Sequence, residues 1–234
     1  MANWAIFKAK EKLTEVSRKH NITAIFFDGR GGPPARGGGK THQFYASLGP
    51  TIESKEVQLT IQGQTISSNF GTLDSSQYNL EQLISSGISN QLSHANTGIA
   101  KEDVLIMDAL EKMSTLKYYA KTNIGSRPSK RGKSSSLVFN DLRAIPFVSS
   151  WSLLKQNVPG FYGVGTALKY YEDNKQFDKV QKLYNNSSFF KTLIANSMMS
   201  LSKSFFELTK YMKDDEEFGA FWEIIYNEYK TSKR

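Results

Sequence analysis

Residues 21–48 have the sequence NITAIFFDGRGGPPARGGGKTHQFYASL, in which an apolar run is followed by a glycine-rich loop and then by a segment of helical character. The run NITAIFF is rich in β-branched and aromatic residues and stops at Asp28 and Gly29, a pattern typical of a buried strand. After the loop, residues 41–48 predict a short helix. The stretch therefore indicates one strand–loop–helix step of a parallel α/β fold.

The rest of the chain predicts two more strands among helices. The strands are VQLTIQG, from Val57, and LRAIPFVSSW, at 142–151. Helices are predicted at 4–19, with Trp4, Phe7, Ala9, Leu13 and Val16 as apolar positions, at 75–92, at 102–120, and from about Thr166 to the end. One continuous apolar stripe at 188–212 predicts core: Phe189, Phe190, Leu193, Ile194, Met198, Leu201, Phe205, Leu208 and Met212. Three strands are too few to close a barrel of about eight, so we expect the chain to be part of a larger fold.

Charge and composition narrow the class of protein. The chain has 234 residues, a net charge of +8 and no cysteine, which excludes disulfides and thiolate metal sites and favours anionic partners. No apolar stretch approaches the roughly 20 residues of a membrane helix, and the N-terminus lacks a signal-peptide pattern. The sequence thus predicts a cytoplasmic protein without a membrane partner. Residues 121–141, the most basic and least periodic stretch, predict a loop that only an anion would order.

Residues 29–40 hold six glycines, two arginines and one lysine. A nucleotide P-loop fails because the glycine it requires five positions before Gly39 is Pro34, and no G-x-G-x-x-G opens a helix here. An RGG-type nucleic-acid segment is normally long and repetitive, unlike this single stretch. A plain surface turn explains two or three glycines, but each further one costs roughly 0.5–1 kcal/mol of backbone entropy. Close approach to a small anion is the favoured interpretation.

Four motifs resemble the C-terminal part of phosphoenolpyruvate carboxylase in order and nearly in spacing. They are FDGRGGPPARGGGKTH (27–42), GSRPSKR (125–131), LRAIPFVSSW (142–151) and VPGFYGVGTAL (158–168). The resemblance extends from about Trp4 to Tyr229. It implies an α/β, helix-rich fold made of the late strands and helices of a (β/α)8 barrel, over about 1–165, and part of the C-terminal helical region, over about 166–234.

The resemblance also implies an enzyme, a carbon–carbon lyase that joins phosphoenolpyruvate and bicarbonate into oxaloacetate and phosphate. In this family bicarbonate attacks the phosphoryl group to give carboxyphosphate and an enolate, and CO2 is then released and captured by the enolate. All these species are anions. Arginine suits them because it stays protonated and does not quench the enolate.

The resemblance assigns roles to particular residues. Arg30 and Arg143 match the arginines that hold the substrate phosphate, Arg127 and Arg131 match a second basic loop near the substrate, and Arg36 matches the arginine associated with carboxyphosphate formation. Gly31, Gly32, Gly37 and Gly38 would let the loop backbone approach the substrate. Lys203, with Arg36, matches an inhibitory site for aspartate or malate.

Asp28 departs from the family, which usually has histidine there. A carboxylate would repel bicarbonate unless it were protonated or paired with Arg30 or Arg36, so we expect no direct catalytic role for Asp28. The family uses Mg2+ or Mn2+, whose ligands are expected before Trp4. Within the chain, the histidines at 20, 42 and 94 are too dispersed for a metal site, and no pair of loop carboxylates stands out. We therefore expect a fragment that is inactive alone.

The alternative is a stand-alone, carboxylase-derived protein that binds an anion or acts as a scaffold without catalysis. A reading frame that continues upstream into metal-ligand motifs would favour the enzyme. Nucleic acid is not an expected partner. The intact family is typically a homotetramer, and in a fragment the open strand edges favour self-association, for example as a dimer, which light scattering would detect.

Overall fold

A computed structural model describes residues 2–28, 41–59, 64–92, 99–113 and 154–234, and this part of the chain is helix-rich, as the sequence predicts. The helices are α1 (Ala2–Lys19), α2 (Thr41–Ser47), α3 (Gln64–Phe70), α4 (Leu73–Leu92), α5 (Lys101–Met113), α6 (Val164–Asp173), α7 (Phe177–Asn186), α8 (Ser188–Ser202) and α9 (Gly219–Ser232), with 3-10 helices at Val158–Gly160 and Phe206–Asp214. Two strands, β1 (Phe26–Asp28) and β2 (Val57–Leu59), lie in the same ranges. None of the described helices is long and apolar enough to cross a membrane.

β1 and β2 pair in parallel, with Phe26 opposite Val57 and Asp28 opposite Leu59. Helix α2 lies between them in the chain, so the predicted order of strand, helix and strand is confirmed. The predicted strand at 142–151, the loop at 121–141 and the end of the predicted helix at 114–120 lie outside the described residues. The structure therefore confirms that the first two predicted strands pair in parallel.

The predicted burial of NITAIFF is wrong. Ile22, Ile25 and Phe27 are 47–65% exposed. Of the three, only Phe27 lies in β1, which begins at Phe26 and within the described ranges pairs with β2 alone. The apolar run correctly predicted a strand at its end, at Phe26 and Phe27, but overestimated both the length of the strand and its burial.

Helix α1 is confirmed, and its buried face matches the predicted one only in part. The buried positions are Trp4, Phe7, Lys10 and Thr14, whereas Ala9, Leu13 and Val16 are exposed. The polar residues on the buried face have partners, since the Thr14 hydroxyl accepts a hydrogen bond from the Glu53 N–H at 3.1 Å. The predicted helical periodicity was right. Part of the buried face of α1 is formed by polar residues that are buried because they have hydrogen-bond partners, and not because they are hydrophobic.

The chain divides into two compact units, each with its own core. The first comprises Met1–Met107 with Leu183–Leu193, and the second comprises Asp108–Lys182 with Ile194–Arg234. In the first unit the Phe7 ring lies 5.4 Å from Trp4 and 4.5 Å from Phe189. In the second unit the core consists of Val158, Phe161, Phe206, Met212, Trp222 and Ile225. Both cores thus contain several buried aromatic side chains in contact or close together.

The predicted continuity of the stripe at 188–212 is wrong, because α8 ends at Ser202, although Met212 is buried as predicted. The Phe205 N–H donates a hydrogen bond to the carbonyl oxygen of Lys155 at 2.6 Å. The Ser204 hydroxyl donates to the carbonyl oxygen of Gln156 at 2.7 Å. These bonds hold a turn between α8 and the next 3-10 helix. Two members of the predicted stripe beyond this turn, Phe205 and Leu208, are at least half exposed, and so is Met198 within α8.

The VPGFYGVGTAL motif is explained by the contact between α6 and α9. Helix α6 begins without a capping side chain, because its N-cap residue is Gly163 at φ 82°. Two residues of α9 supply the missing acceptors. The Ser232 hydroxyl accepts from the Gly165 N–H at 3.2 Å, and the Glu228 carboxylate accepts from the N–H of Thr166 at 3.2 Å and from its hydroxyl. A Cβ on Gly165 would lie 2.5 Å from the Ser232 nitrogen, so this approach requires glycine.

Candidate functional site

The candidate site is the edge at which both parallel strands end. Asp28 is the last residue of β1, and its partner Leu59 is the last residue of β2. In open α/β sheets and in α/β barrels, ligands bind beyond the carboxyl ends of the strands. The glycine-rich loop at 29–40 follows β1 at this edge and precedes α2, which begins at Thr41. The loop itself lies outside the described residues, whereas the residues that flank it are described.

Three hydrogen bonds hold the Asp28 carboxylate, which is 8% exposed. Lys10 Nζ, from α1, donates to Oδ1 at 2.8 Å and to Oδ2 at 3.0 Å. The Tyr45 hydroxyl, from α2, donates to Oδ2 at 2.6 Å. The residue before the glycine-rich loop is therefore bonded to the helix that follows the loop and to the helix that precedes β1. We call Lys10, Asp28 and Tyr45 the Asp28 cluster.

The Asp28 cluster is close to electrically neutral. The Lys10 ammonium balances the Asp28 carboxylate, and Lys10 Nζ also lies 5.3 Å from the centre of the Phe26 ring. Burial raises the pKa of the Tyr45 phenol, and the hydrogen bond to Asp28 raises it further. The phenol therefore stays protonated and continues to donate. A buried carboxylate with such partners is a fixed acceptor, and removing a partner leaves an uncompensated charge.

Asp28 has a partner that sequence reasoning missed. The sequence suggested protonation or pairing with Arg30 or Arg36, whereas the partner in the structure is Lys10. With its charge balanced, Asp28 would not present an unpaired negative charge to an anion near the loop. The sequence could have indicated Lys10, because helical spacing places it on the same face of α1 as Trp4 and Phe7. A buried lysine requires a partner of opposite charge. Tyr45 carried no comparable signal.

Most of the predicted site residues lie outside the described residues: Arg30, Arg36, Arg127, Arg131, Arg143, Gly31, Gly32, Gly37 and Gly38. Lys203 is described, and it is exposed in the turn that follows α8. Its N–H donates a hydrogen bond to the carbonyl oxygen of Met199 at 3.3 Å, and its neighbour Ser204 is buried. The structure thus positions Asp28 and Lys203, whereas the arrangement of the arginines stays a prediction.

The described residues do not offer a ligand set for a divalent metal. No group of three or more histidine or acidic side chains lies together in these ranges. The buried carboxylates of Asp28 and Glu228 already accept three hydrogen bonds each. Ions such as Mg2+ require several free oxygen ligands, so we assign no chemical step to a metal held by this part of the chain.

Comparison with known protein families gives a match over two segments, residues 1–122 and 118–234. The two segments overlap by a few residues and together span the chain. The matching family is phosphoenolpyruvate carboxylase. The first segment contains β1, the glycine-rich residues 29–40 and β2. The second contains the motifs GSRPSKR and LRAIPFVSSW, with Arg127, Arg131 and Arg143, and also Lys203.

Proposed function

Because the chain belongs to the phosphoenolpyruvate carboxylase family, we propose that it forms the C-terminal catalytic part of an enzyme that converts phosphoenolpyruvate and bicarbonate into oxaloacetate and phosphate. The observation that carries this proposal is the family match across the whole chain. It is supported by the position of the glycine- and arginine-rich loop, which follows β1 at the carboxyl edge of a parallel pair. We assign β1 and β2 to a (β/α)8 barrel, whose active sites lie at that edge.

In this proposal arginines stabilise every anion along the reaction. Arg30 and Arg143 bind the phosphate of phosphoenolpyruvate, Arg127 and Arg131 border the substrate, and Arg36 contacts carboxyphosphate. A bicarbonate oxygen attacks phosphorus, and the bond from phosphorus to the enol oxygen breaks to leave the enolate. Carboxyphosphate then breaks into CO2 and inorganic phosphate. The enolate carbon attacks the CO2, which gives oxaloacetate. A guanidinium keeps its proton throughout, so it stabilises these charges without protonating the enolate.

The glycines and the Asp28 cluster would support the arginines. Gly31, Gly32, Gly37 and Gly38 lack Cβ atoms, so loop N–H groups can approach an oxyanion closely. The Asp28 cluster fixes the residue before the loop to α2 after it, and its balanced charge does not oppose an anion. Asp28 therefore acts as an anchor for the loop and not as a base.

We place the inhibitory site for aspartate or malate at Lys203 and Arg36. Lys203 supports this proposal because it is exposed at a turn that is anchored by buried Ser204. Aspartate binding measured calorimetrically on Lys203→Met would test it, and unchanged affinity would remove Lys203 from the site.

A coupled assay for oxaloacetate tests the reaction itself. With phosphoenolpyruvate, bicarbonate and Mg2+, we expect no turnover by the 234-residue chain alone. We expect turnover by a polypeptide that continues upstream and includes the metal ligands of the family. The alternative, a protein that binds an anion or acts as a scaffold without catalysis, predicts no turnover by either. Turnover by the 234-residue chain alone would contradict our assignment of it as a catalytic part.

Substrate binding tests the arginines separately from turnover. Arg30→Gln and Arg143→Gln should each weaken phosphoenolpyruvate binding about ten-fold or more, because a charge-assisted hydrogen bond contributes roughly 1.5–3 kcal/mol. Arg18→Gln is the matched control, since Arg18 is half exposed and bonds Glu53 at 3.3 Å. Isothermal titration calorimetry measures all three affinities. An equal loss in Arg18→Gln would show a general charge effect and not a phosphate site.

A further inference from the structure

The first compact unit contains a cleft of about 320 Å³ that the proposed carboxylase chemistry does not use. Its walls come from α1, the end of α2 with the turn at 48–51, the end of α4, the start of α5, and the junction of α7 with α8. The volume lies at the lower end of the range for small-molecule sites, about 300–1,000 Å³. The cleft is large enough for a small organic ligand.

Asp103 gives this cleft its chemical character. It is the third residue of α5, it lines the cleft, and it is 9% exposed. Within the described ranges, no side chain or backbone group donates a hydrogen bond or forms an ion pair with its carboxylate. The Asp28 carboxylate, which is equally buried, has three donors. Among the described residues, the Asp103 oxygens are not fully enclosed unpaired atoms, so this carboxylate faces the cleft and is accessible to a cation.

The position of Asp103 in α5 does not account for its burial. A carboxylate in the first turn of a helix is favoured by the helix dipole. That benefit is available to an exposed side chain, as its neighbour Glu102 demonstrates. The dipole therefore explains an acidic residue at this turn but not one that faces a cleft.

The composition of the lining makes Asp103 the group most suited to bind a charged ligand. Of the described residues that line the cleft, Asp103 alone is charged. Two polar neighbours are already engaged, since the Asn90 amide donates to the Tyr45 carbonyl oxygen at 2.7 Å and the Ser187 hydroxyl accepts from the Phe190 N–H at 3.1 Å. The apolar lining residues Phe7, Leu48 and Phe189 are only 1–4% exposed, so they add little open surface. A single carboxylate in an otherwise uncharged cleft suits an ammonium group.

We propose that this cleft binds a small organic ammonium compound, with its ammonium group on the Asp103 carboxylate. The site differs in charge from the proposed carboxylase site, which takes anions. A divalent metal ion fits less well, because one carboxylate falls short of the oxygen ligands that such ions require. The proposal does not depend on the carboxylase function.

The test compares two probes of the same shape on the full 234-residue chain. Phenethylammonium carries the charge, and 2-phenylethanol replaces it with a neutral hydroxyl. By titration calorimetry or saturation-transfer NMR, we expect the ammonium compound to bind about ten-fold more tightly, since hydrogen bonds to charged groups are roughly twice as strong as neutral ones. Equal affinities for the two probes, or no binding of the ammonium compound at millimolar concentration, would overturn the proposal.

Two variants locate the interaction. Asp103→Asn keeps the side-chain shape and removes the charge, so the affinity for phenethylammonium should fall to that for 2-phenylethanol. Glu102→Gln removes an exposed carboxylate from the same helical turn and should leave both affinities unchanged. Undiminished binding to Asp103→Asn would refute the assignment. If Asp103→Asn does not fold, the comparison of the two probes on the unmodified chain still tests whether the cleft prefers the charged compound.

Discussion

Lys10→Met is expected to destabilise the protein by about 3–5 kcal/mol, the cost of leaving a buried charge without its partner. The Asp28 carboxylate would retain only the hydrogen bond from Tyr45, at 2.6 Å, in a setting that is 8% exposed. Methionine matches the length and the apolar stem of lysine, so the change in packing is small. Chemical denaturation followed by circular dichroism gives the change in the free energy of unfolding, and hydrogen exchange of the α1 amides shows where it acts.

A control and a double variant separate the ion pair from the lysine itself. Lys12→Met changes a lysine of the same helix that is largely exposed and pairs with Glu15, so little change is expected. Lys10→Met combined with Asp28→Asn removes both charges and should recover much of the lost stability. Additive effects in this double-mutant cycle would contradict a coupled pair. So would a Lys10→Met variant as stable as Lys12→Met.

Local signals in the sequence identified most of the regular structure. The helices predicted at 4–19, 75–92 and 102–120 overlap α1, α4 and α5, and the strands predicted from 21 and from Val57 overlap β1 and β2. Helix α3 was not predicted, since its sequence QTISSNF lacks a helical pattern of apolar residues. It is supported from α4, where the Asn79 amide donates to the Asn69 carbonyl oxygen at 3.0 Å and the Ser76 hydroxyl donates to the Phe70 carbonyl oxygen at 2.9 Å. Such contacts between neighbouring elements are invisible to a reading of one element at a time.

The end of α8 shows why periodicity alone fails. The stripe at 188–212 has the right spacing for one long helix, yet the chain turns after Ser202. The turn depends on Lys155 and Gln156, which accept hydrogen bonds from residues about 50 positions later. A sequence pattern cannot reveal which distant carbonyl groups will be available. The same limit applies to the Asp28 cluster, whose members come from three separate elements.

The Asp28 cluster changes how the departure at position 28 is interpreted. From the family pattern, a carboxylate in place of histidine looked unfavourable for an enzyme that binds anions. In the structure, Lys10 on α1 compensates the charge and Tyr45 on α2 uses it as an anchor. Lys10, Asp28 and Tyr45, which are distant in the sequence, thus form one hydrogen-bonded cluster. The proposed carboxylase function is therefore compatible with Asp28, provided that the arginines bind the substrate without it.

Thr209→Val is expected to destabilise the second unit by roughly 2–6 kcal/mol, because it leaves two buried donors without an acceptor at about 1–3 kcal/mol each. The Thr209 hydroxyl is fully buried and uses its full hydrogen-bonding capacity. It accepts from Gln156 Nε2 at 2.8 Å and from Trp222 Nε1 at 3.1 Å, and it donates to the Phe206 carbonyl oxygen at 3.2 Å. Valine has nearly the same shape, so the loss reports on the hydroxyl and not on a cavity.

Two further variants show whether this hydroxyl is the cause. Thr209→Ser keeps the hydroxyl and removes one methyl group, so a loss of only about 1 kcal/mol is expected. Thr231→Val removes a hydroxyl that donates to the Asn227 carbonyl oxygen at the surface of α9, where water can replace it, and should change stability little. Denaturation curves and hydrogen exchange of the α9 amides provide the comparison. If Thr209→Val is no less stable than Thr209→Ser, shape and not hydrogen bonding maintains the packing of Trp222 on the 3-10 helix at Phe206–Asp214.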